Sequence, residues 1–274
     1  MQEQGLLRNT IDKFYTNSDV VDICIDHFVD FIKPKQADTV LEPSAGAGAF
    51  SNVLRKMFKN VIAIDIQPDH KNVKREDFLE EFDEGKIKGN IVHVIGNPPF
   101  GRQSSLAKRF IKKSSMFAES ISFILPKSFK KDSFQKSFPL NFHLVFCIDL
   151  PVNSFLINDK PHDVPCVFQI WKKRDNDRTV NKIEKPDFYE YVKKNDNPNV
   201  SLRRVGVNSG DISKEIIEKS EQSHYFLKLK DVDVDHFIKV YNDKKNFIFN
   251  NTVGPRSISK SEFDTFMHSL IDLI

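Results

Sequence analysis

Between residues 17 and 32 (NSDVVDICIDHFVDFI) apolar side chains recur at Val20, Cys24, Phe28 and Ile32, with Asp19, Asp22, Asp26 and Asp30 between them. At 3.6 residues per turn this spacing gathers the apolar positions on one face and predicts an amphipathic helix. Thr16 and Asp19 suit its N-terminal cap. After Pro34 the rhythm changes to short apolar runs, mostly β-branched or aromatic: TVLEP (39–43), VIAID (61–65), IVHVIG (91–96), SISFILP (120–126), FHLVFCIDL (142–150) and VPCVFQIW (164–171). Helical stretches fit between several of them. Near-continuous apolar strands alternating with helices predict an α/β fold whose mainly parallel sheet carries helices on both faces. From 142 onward the runs leave no room for a full helix, so the sheet should end in an antiparallel pair and be mixed.

The polar stretch KKRDNDRTVNKIEKPD (172–187) reads as a boundary between a first domain, 1–175, and a smaller α+β region, 186–274. In the smaller region the pattern predicts a turn at GVNSGD (206–211), a strand at HYFLKL (224–229) and helices near 233–242 and 258–273. No internal repeat is present.

With 274 residues, 39% hydrophobic and 29% charged, the chain can bury a sizeable core, which excludes disulfide-miniprotein, collagen-like and disordered classes. Its three cysteines, Cys24, Cys147 and Cys166, form neither an even disulfide set nor close zinc-type pairs, so a reducing compartment and no structural metal are expected. The first residues lack the apolar stretch of a signal peptide, and no apolar run approaches the roughly 20 residues of a membrane span, so a cytoplasmic protein is expected.

Two loops carry chemistry. GNPPFG (96–101) follows the apolar run IVHVI, at the carboxyl end of a strand, where open α/β sheets place their ligands. Pro98 and Pro99 stiffen the loop, remove two backbone donors and leave their carbonyls as acceptors. Asn97 adds an amide oxygen and Phe100 a flat apolar face, a set suited to a ring bearing an NH2 group. LEPSAGAGAF (41–50) turns through Gly46 and Gly48 into the helix-like SNVLRKMF. A dinucleotide fingerprint would want a third glycine where Ser51 stands, and Glu42 sets a negative charge where a pyrophosphate would approach. Asp65 ends the next strand 19 residues after Gly46, close to the separation of about 20 at which a carboxylate takes a ribose diol. Asp77 can accept from an adenine amino group and Phe78 can cover its ring, so a nucleoside without phosphates fits best.

In order, YTNSDVVD (15–22), LEPSAGAGAF (41–50), AIDIQP (63–68), EDFL (76–79) and GNPPFG (96–101) resemble the gamma-group amino-methyltransferases, the S-adenosylmethionine-dependent N6-adenine methyltransferases of nucleic acids. The resemblance covers about 170 residues and implies a Rossmann-like mixed seven-stranded methyltransferase sheet. It implies S-adenosyl-L-methionine as cofactor, with Thr16 at its methionine end. Glu42, Pro43 and the loop Ser44, Ala45, Gly46 to Gly48 would cradle it, Asp65 and Ile66 would hold the ribose side, and Asp77 and Phe78 its adenine. Asn97, Pro98, Pro99 and Phe100 would hold the target adenine, flipped out of a duplex for direct in-line displacement. SFILPKSF (122–129) and LPVNSFLINDKPHDVPCVFQIW (150–171) match the strand and hairpin beyond that loop, and Phe155 is the expected second base-stacking aromatic, with a core position as the alternative reading.

The net charge of +3 conceals a basic segment: residues 101–140 hold nine Lys and Arg against Glu119 and Asp132. Arg102, Lys108, Lys112, Lys113, Lys127, Lys130 and Lys131 are the expected contacts to a nucleic-acid backbone. Residues 174–274 carry 17 basic and 17 acidic residues; RRVGVNSGD (203–211) is there the one candidate for a base-reading loop, and a surface hairpin is the favoured reading of it. DNA is the expected partner, with structured RNA the alternative. A protein glutamine methyltransferase and an inactive partner subunit rank below both.

Overall fold

A computed structural model describes residues 15–87, 91–157, 160–180, 184–245 and 256–274. The chain divides into two compact units, with the boundary between Thr179 and Val180. Among the described residues no helix is long and apolar enough to cross a membrane.

The first unit contains β1 (Tyr15–Thr16), α1 (Ser18–Ile32), β2 (Thr39–Glu42), α2 (Ala49–Leu54), β3 (Asn60–Asp65), β4 (Lys74–Arg75) and β5 (Val92–Gly96). It continues with α3 (Ser105–Ser114), β6 (Ser120–Pro126), α4 (Asp132–Gln135), β7 (Phe142–Asp149), β8 (Phe155–Ile157), β9 (Lys160–His162) and β10 (Cys166–Lys173). Seven strands form one mixed Rossmann-like sheet in the order β4-β3-β2-β5-β6-β10-β7. The four contacts from β4 to β6 are parallel, and β10 runs antiparallel to both β6 and β7. The chain moves from β2 outward to β3 and β4, then returns to place β5 on the other side of β2. The carboxyl ends of β2 and β5 therefore meet at a topological switch point.

Two apolar layers cover the sheet. One joins α1 and α2 through Val20, Cys24, Phe28 and Phe50 to Val40, Ile95 and Phe168. The other joins α3 through Ala107, Phe110 and Ile111 to Leu41, Val94, Ile121 and Trp171. The every-fourth pattern of α1 is buried as its spacing predicts. Its cap differs: Asn17, rather than Thr16 or Asp19, accepts the Asp19 N–H at 3.2 Å, because Thr16 is drawn into β1 opposite Phe155.

At the amino ends of the strands, His93 bonds Ser120 Oγ at 2.7 Å and Asp38 Oδ2 at 3.3 Å. All three are buried and burial holds the imidazole pKa below its ordinary value, so this trio is a structural hydrogen-bond network with no open nucleophile.

The second unit pairs β11 (Tyr189–Val192), β12 (Val200–Arg203), β13 (Ile212–Ser213) and β14 (His224–Leu229) in the order β11-β14-β12-β13. Its contacts are all antiparallel. α5 (Val234–Lys244) and α6 (Lys260–His268) pack Phe237, Tyr241, Phe263 and Met267 onto Tyr189, Val200, Leu202 and Leu227. Residues 203–211 form the hairpin between β12 and β13.

Candidate active site

The carboxyl ends of β3, β2, β5 and β6 lie side by side, which brings Asp65, the 43–48 loop, the 97–101 loop and the 127–131 turn into one row. Gly46 and Gly48 take positive φ, +50° and +81°, the left-handed region where a side chain is strained. Asp65 secures this loop: Oδ2 accepts the Gly46 N–H at 2.8 Å and Oδ1 the Gln67 N–H at 2.7 Å. Each carboxylate oxygen has a second lone pair for a hydroxyl donor. Ile66, the next residue, is 51% exposed and offers an apolar face.

The two loops hold each other. Ser44 Oγ donates to the Asn97 carbonyl at 3.1 Å, and Asn97 Nδ2 donates to Thr16 Oγ1 at 3.3 Å. The second bond fixes the amide so that its nitrogen is on the β1 side and its oxygen at the opposite end. No group among the described residues donates to the Pro98 carbonyl. Phe100 is partly buried against the α1 layer, and its carbonyl accepts the N–H groups of Leu106 and Ala107, tying the loop to the start of α3. Gly101 takes φ +68°, and a Cβ there would lie 2.8 Å from Leu106 Cγ. The loop therefore closes only with glycine at this position.

The structure corrects several residue assignments. Glu42 is 2% exposed, and its carboxyl accepts the Ser51 N–H at 2.8 Å beside a further bond from the Phe50 amide, which caps α2 from below. Burial pushes its pKa up to about 8, so it places no fixed charge in the loop against a pyrophosphate. Phe78 is 2% exposed and packs with Phe82 and Phe110, so it cannot cover an adenine. Phe155 is 1% exposed within the α1 layer and has no face open to a base. Asp77 Oδ1 caps the following turn through the Leu79 and Glu80 amides, and Oδ2 has no partner among the described residues.

The basic segment is largely used by the protein itself. Lys113 Nζ donates to the carbonyls of Phe82 (2.8 Å) and Leu79 (3.3 Å), and Lys131 is buried, so neither is a backbone contact. Lys127 and Lys130 both pair with Asp149, Arg109 pairs with Glu80, and Lys108 lies 4.5 Å from the Phe134 ring centre. Arg102 and Lys112 are exposed and unpaired among the described residues.

Two site residues escaped the sequence reading. Tyr15 packs its ring 3.6 Å from where a Gly46 Cβ would stand, and its hydroxyl donates to Asp69, whose own N–H donates to the Gly46 carbonyl. That bond, with burial and the charges of Asp69 and Asp65, raises the phenol pKa to about 12. The two residues lie 54 apart in sequence and carry no spacing signal.

With the geometry in place, comparison with known proteins adds a partial likeness. No family model matches the chain. It is 30% identical over 94 residues to the Type II methyltransferase M.CvrRI of Paramecium bursaria Chlorella virus XZ-6E, covering 32% of this chain and 24% of that protein. The chain thus spans about a quarter of the length of the curated relative it matches. Similar solved structures include the 23S rRNA methyltransferase ErmE, at 14% identity and TM-score 0.45 over 62% of this chain and 74% of that one. A dimethyladenosine transferase from Plasmodium falciparum is similar at 18% identity and TM-score 0.41, over 60% and 64%.

The donors and acceptors present fit S-adenosylmethionine. Gly46 and Gly48 put no side chain of their own between a ligand and the loop backbone, Asp65 retains lone pairs for a ribose diol, and Asp77 Oδ2 has no partner among the described residues. Among the described residues no three His, Cys, Asp or Glu side chains are placed to hold a metal.

Proposed function

We propose that this chain transfers a methyl group from S-adenosylmethionine to the N6 amino group of an adenine in nucleic acid, DNA ahead of RNA. The observation that carries this reading is the 97–100 loop: an oriented amide, a carbonyl with no donor among the described residues and an aromatic ring, at the switch point and bonded to the glycine loop. The partial identity to a type II methyltransferase agrees with it.

Gly46, Asp65, Ile66 and Asp77 hold the cofactor, which supplies an electrophilic methyl on a sulfonium sulfur. Asn97 Oδ1 and the Pro98 carbonyl accept the two hydrogens of the adenine amine. An exocyclic amine is a weak nucleophile because its lone pair is delocalised into the ring, and accepting both hydrogens keeps electron density on nitrogen and aims it. Phe100 stacks on the base, so positioning supplies much of the rate. Asn97 and Pro98 accept hydrogen bonds without taking the proton, and the excess proton leaves to solvent. A base within a duplex enters this pocket by flipping.

The test is transfer of labelled methyl to duplex DNA, single-stranded DNA and total RNA in parallel, with nucleoside analysis of the product. N6-methylated adenosine or its deoxy form is expected. Asn97→Ala should lower kcat about 10²–10³-fold, the cost of losing one preorganised hydrogen-bonding group, with cofactor affinity nearly unchanged. Equal loss of both would remove Asn97 from its role. Methylation of protein glutamine, or cofactor binding without transfer to any nucleic acid, would overturn the substrate assignment.

A further inference from the structure

The second unit gathers cations around a pair of tyrosines. On the antiparallel neighbours β11 and β14, Tyr191 stands opposite Leu227 and therefore diagonal to Tyr225 on the same face. The ring centres are 5.7 Å apart. The Tyr191 hydroxyl donates at 2.8 Å to Asp264 Oδ1, which also accepts from Tyr189, so the ring is anchored from behind.

Lys260 opens α6, where the Ser259–Glu262 capping box fixes the helix start. Its Nζ lies 4.2 Å from the Tyr191 ring centre and 5.5 Å from that of Tyr225. The Arg204 guanidinium lies 5.4 Å from the Tyr225 ring and is steadied by donating to the Gln222 carbonyl. Beside the pair opens a cavity of about 270 Å³ lined by Tyr191, Lys193, Glu221, His224, Tyr225 and Lys260. Lys193 is exposed, and Glu221 is the acidic residue among these six. Burial lowers the His224 pKa against a bond to the Ser220 carbonyl that raises it, with Arg203 and Lys219 adding to the lowering, and Lys193, Lys260 and Arg204 bring positive charge to the pair.

Aromatic rings beside cations match a ligand that joins a flat ring to an anion. At about 270 Å³ the cavity is smaller than pockets for drug-sized molecules and suits one nucleotide rather than a duplex. We infer that this pocket binds an unpaired nucleotide of a nucleic-acid strand, its base against Tyr191 and Tyr225 and its phosphates on Lys260, Arg204 and Lys193. The inference takes the ligand class from the proposed function and goes beyond it by giving the second unit a contact of its own.

The test uses the full chain and fluorescence anisotropy with single-stranded DNA and RNA oligonucleotides across a salt series. Tyr225→Ala should weaken binding about tenfold or more, the effect of losing one base–aromatic stack, while Tyr225→Phe retains it. Lys260→Gln with Arg204→Gln should flatten the slope of log affinity against log salt by about 1.4, two phosphate contacts at about 0.7 each. Poly-glutamate should compete far less well than an oligonucleotide of equal charge. Unchanged affinity in both Tyr225→Ala and the double variant, or equal competition by poly-glutamate, would overturn the inference. If Tyr225→Ala fails to fold, the double variant decides, since it alters cationic side chains outside the core. Cofactor binding and methyl transfer are measured alongside. Strand binding through this pocket without methyl transfer would overturn the proposed function and leave the pocket standing, whereas methyl transfer with unaltered binding in the variants would do the reverse.

Discussion

Glu42 offers a quantitative test of how the glycine loop is supported. Its carboxyl is buried at the end of β2 and accepts the amides of Phe50 and Ser51, and burial outweighs those bonds to lift its pKa from 4.5 to about 8. In the unfolded chain the group ionises above about pH 4.5, while the folded protein keeps the proton to about pH 8. The folded state therefore binds more protons across that window, and stability falls as pH rises. The contribution is fully present below pH 4.5 and is lost as pH passes through 8. Its limiting slope is about 1.4 kcal/mol per pH unit, and the whole effect is on the order of a few kcal/mol. Glu42→Gln does not titrate, yet its amide oxygen can still accept from the α2 amides. Urea unfolding of both proteins at pH 5, 6, 7 and 8 should show wild-type stability falling relative to the variant by roughly 1 kcal/mol per unit. Glu42→Ala leaves two buried donors unmet and does not titrate, so its cost should be about 3–6 kcal/mol at pH 5 and shrink toward pH 8 as wild type loses stability. A wild-type-minus-Gln difference that stays flat from pH 5 to 8 would refute the raised pKa, and with it the account of a neutral buried cap.

Three further perturbations probe the rest of the first unit. Gly101→Ala forces a side chain into a glycine-only backbone conformation against Leu106 and should cost about 1–3 kcal/mol in chemical unfolding. It should also lower kcat more than cofactor affinity, because the loop carries Phe100 and Asn97. Arg178 donates to the carbonyls of Gln135, Phe138, Pro139 and Phe142 and lies 5.2 Å from the Trp171 ring, so Arg178→Ala should destabilise by about 3 kcal/mol. A loss under about 1 kcal/mol would contradict its role as a clamp. Arg102→Glu with Lys112→Glu should weaken nucleic-acid binding and reduce its salt dependence, and unchanged binding would move the phosphate path away from α3.

The sequence by itself determined the sheet and the motifs on it. Period-four burial gave α1, continuous apolar runs gave the parallel strands, and the absence of a helix after 142 gave the antiparallel β10, because these features follow from local repeat lengths and from the distance a crossover must span. The order of the glycine loop, Asp65 and the 97–100 loop was also legible, since each ends a strand and the switch point brings strand ends together. Tertiary structure alone decided what each side chain is free to do. Phe78 and Phe155 look like any exposed aromatics in one dimension, yet core volume claims both, and Glu42 reads as a charge until burial neutralises it. The basic segment reads as net positive, but Lys113 turns onto backbone carbonyls while Lys127 and Lys130 share Asp149, a partner from another strand. Tyr15 over Gly46, and Lys260 beside Tyr191 and Tyr225, are contacts between residues more than thirty positions apart. Sequence spacing carries no trace of them, because chain folding sets such distances only after the core has chosen its residues.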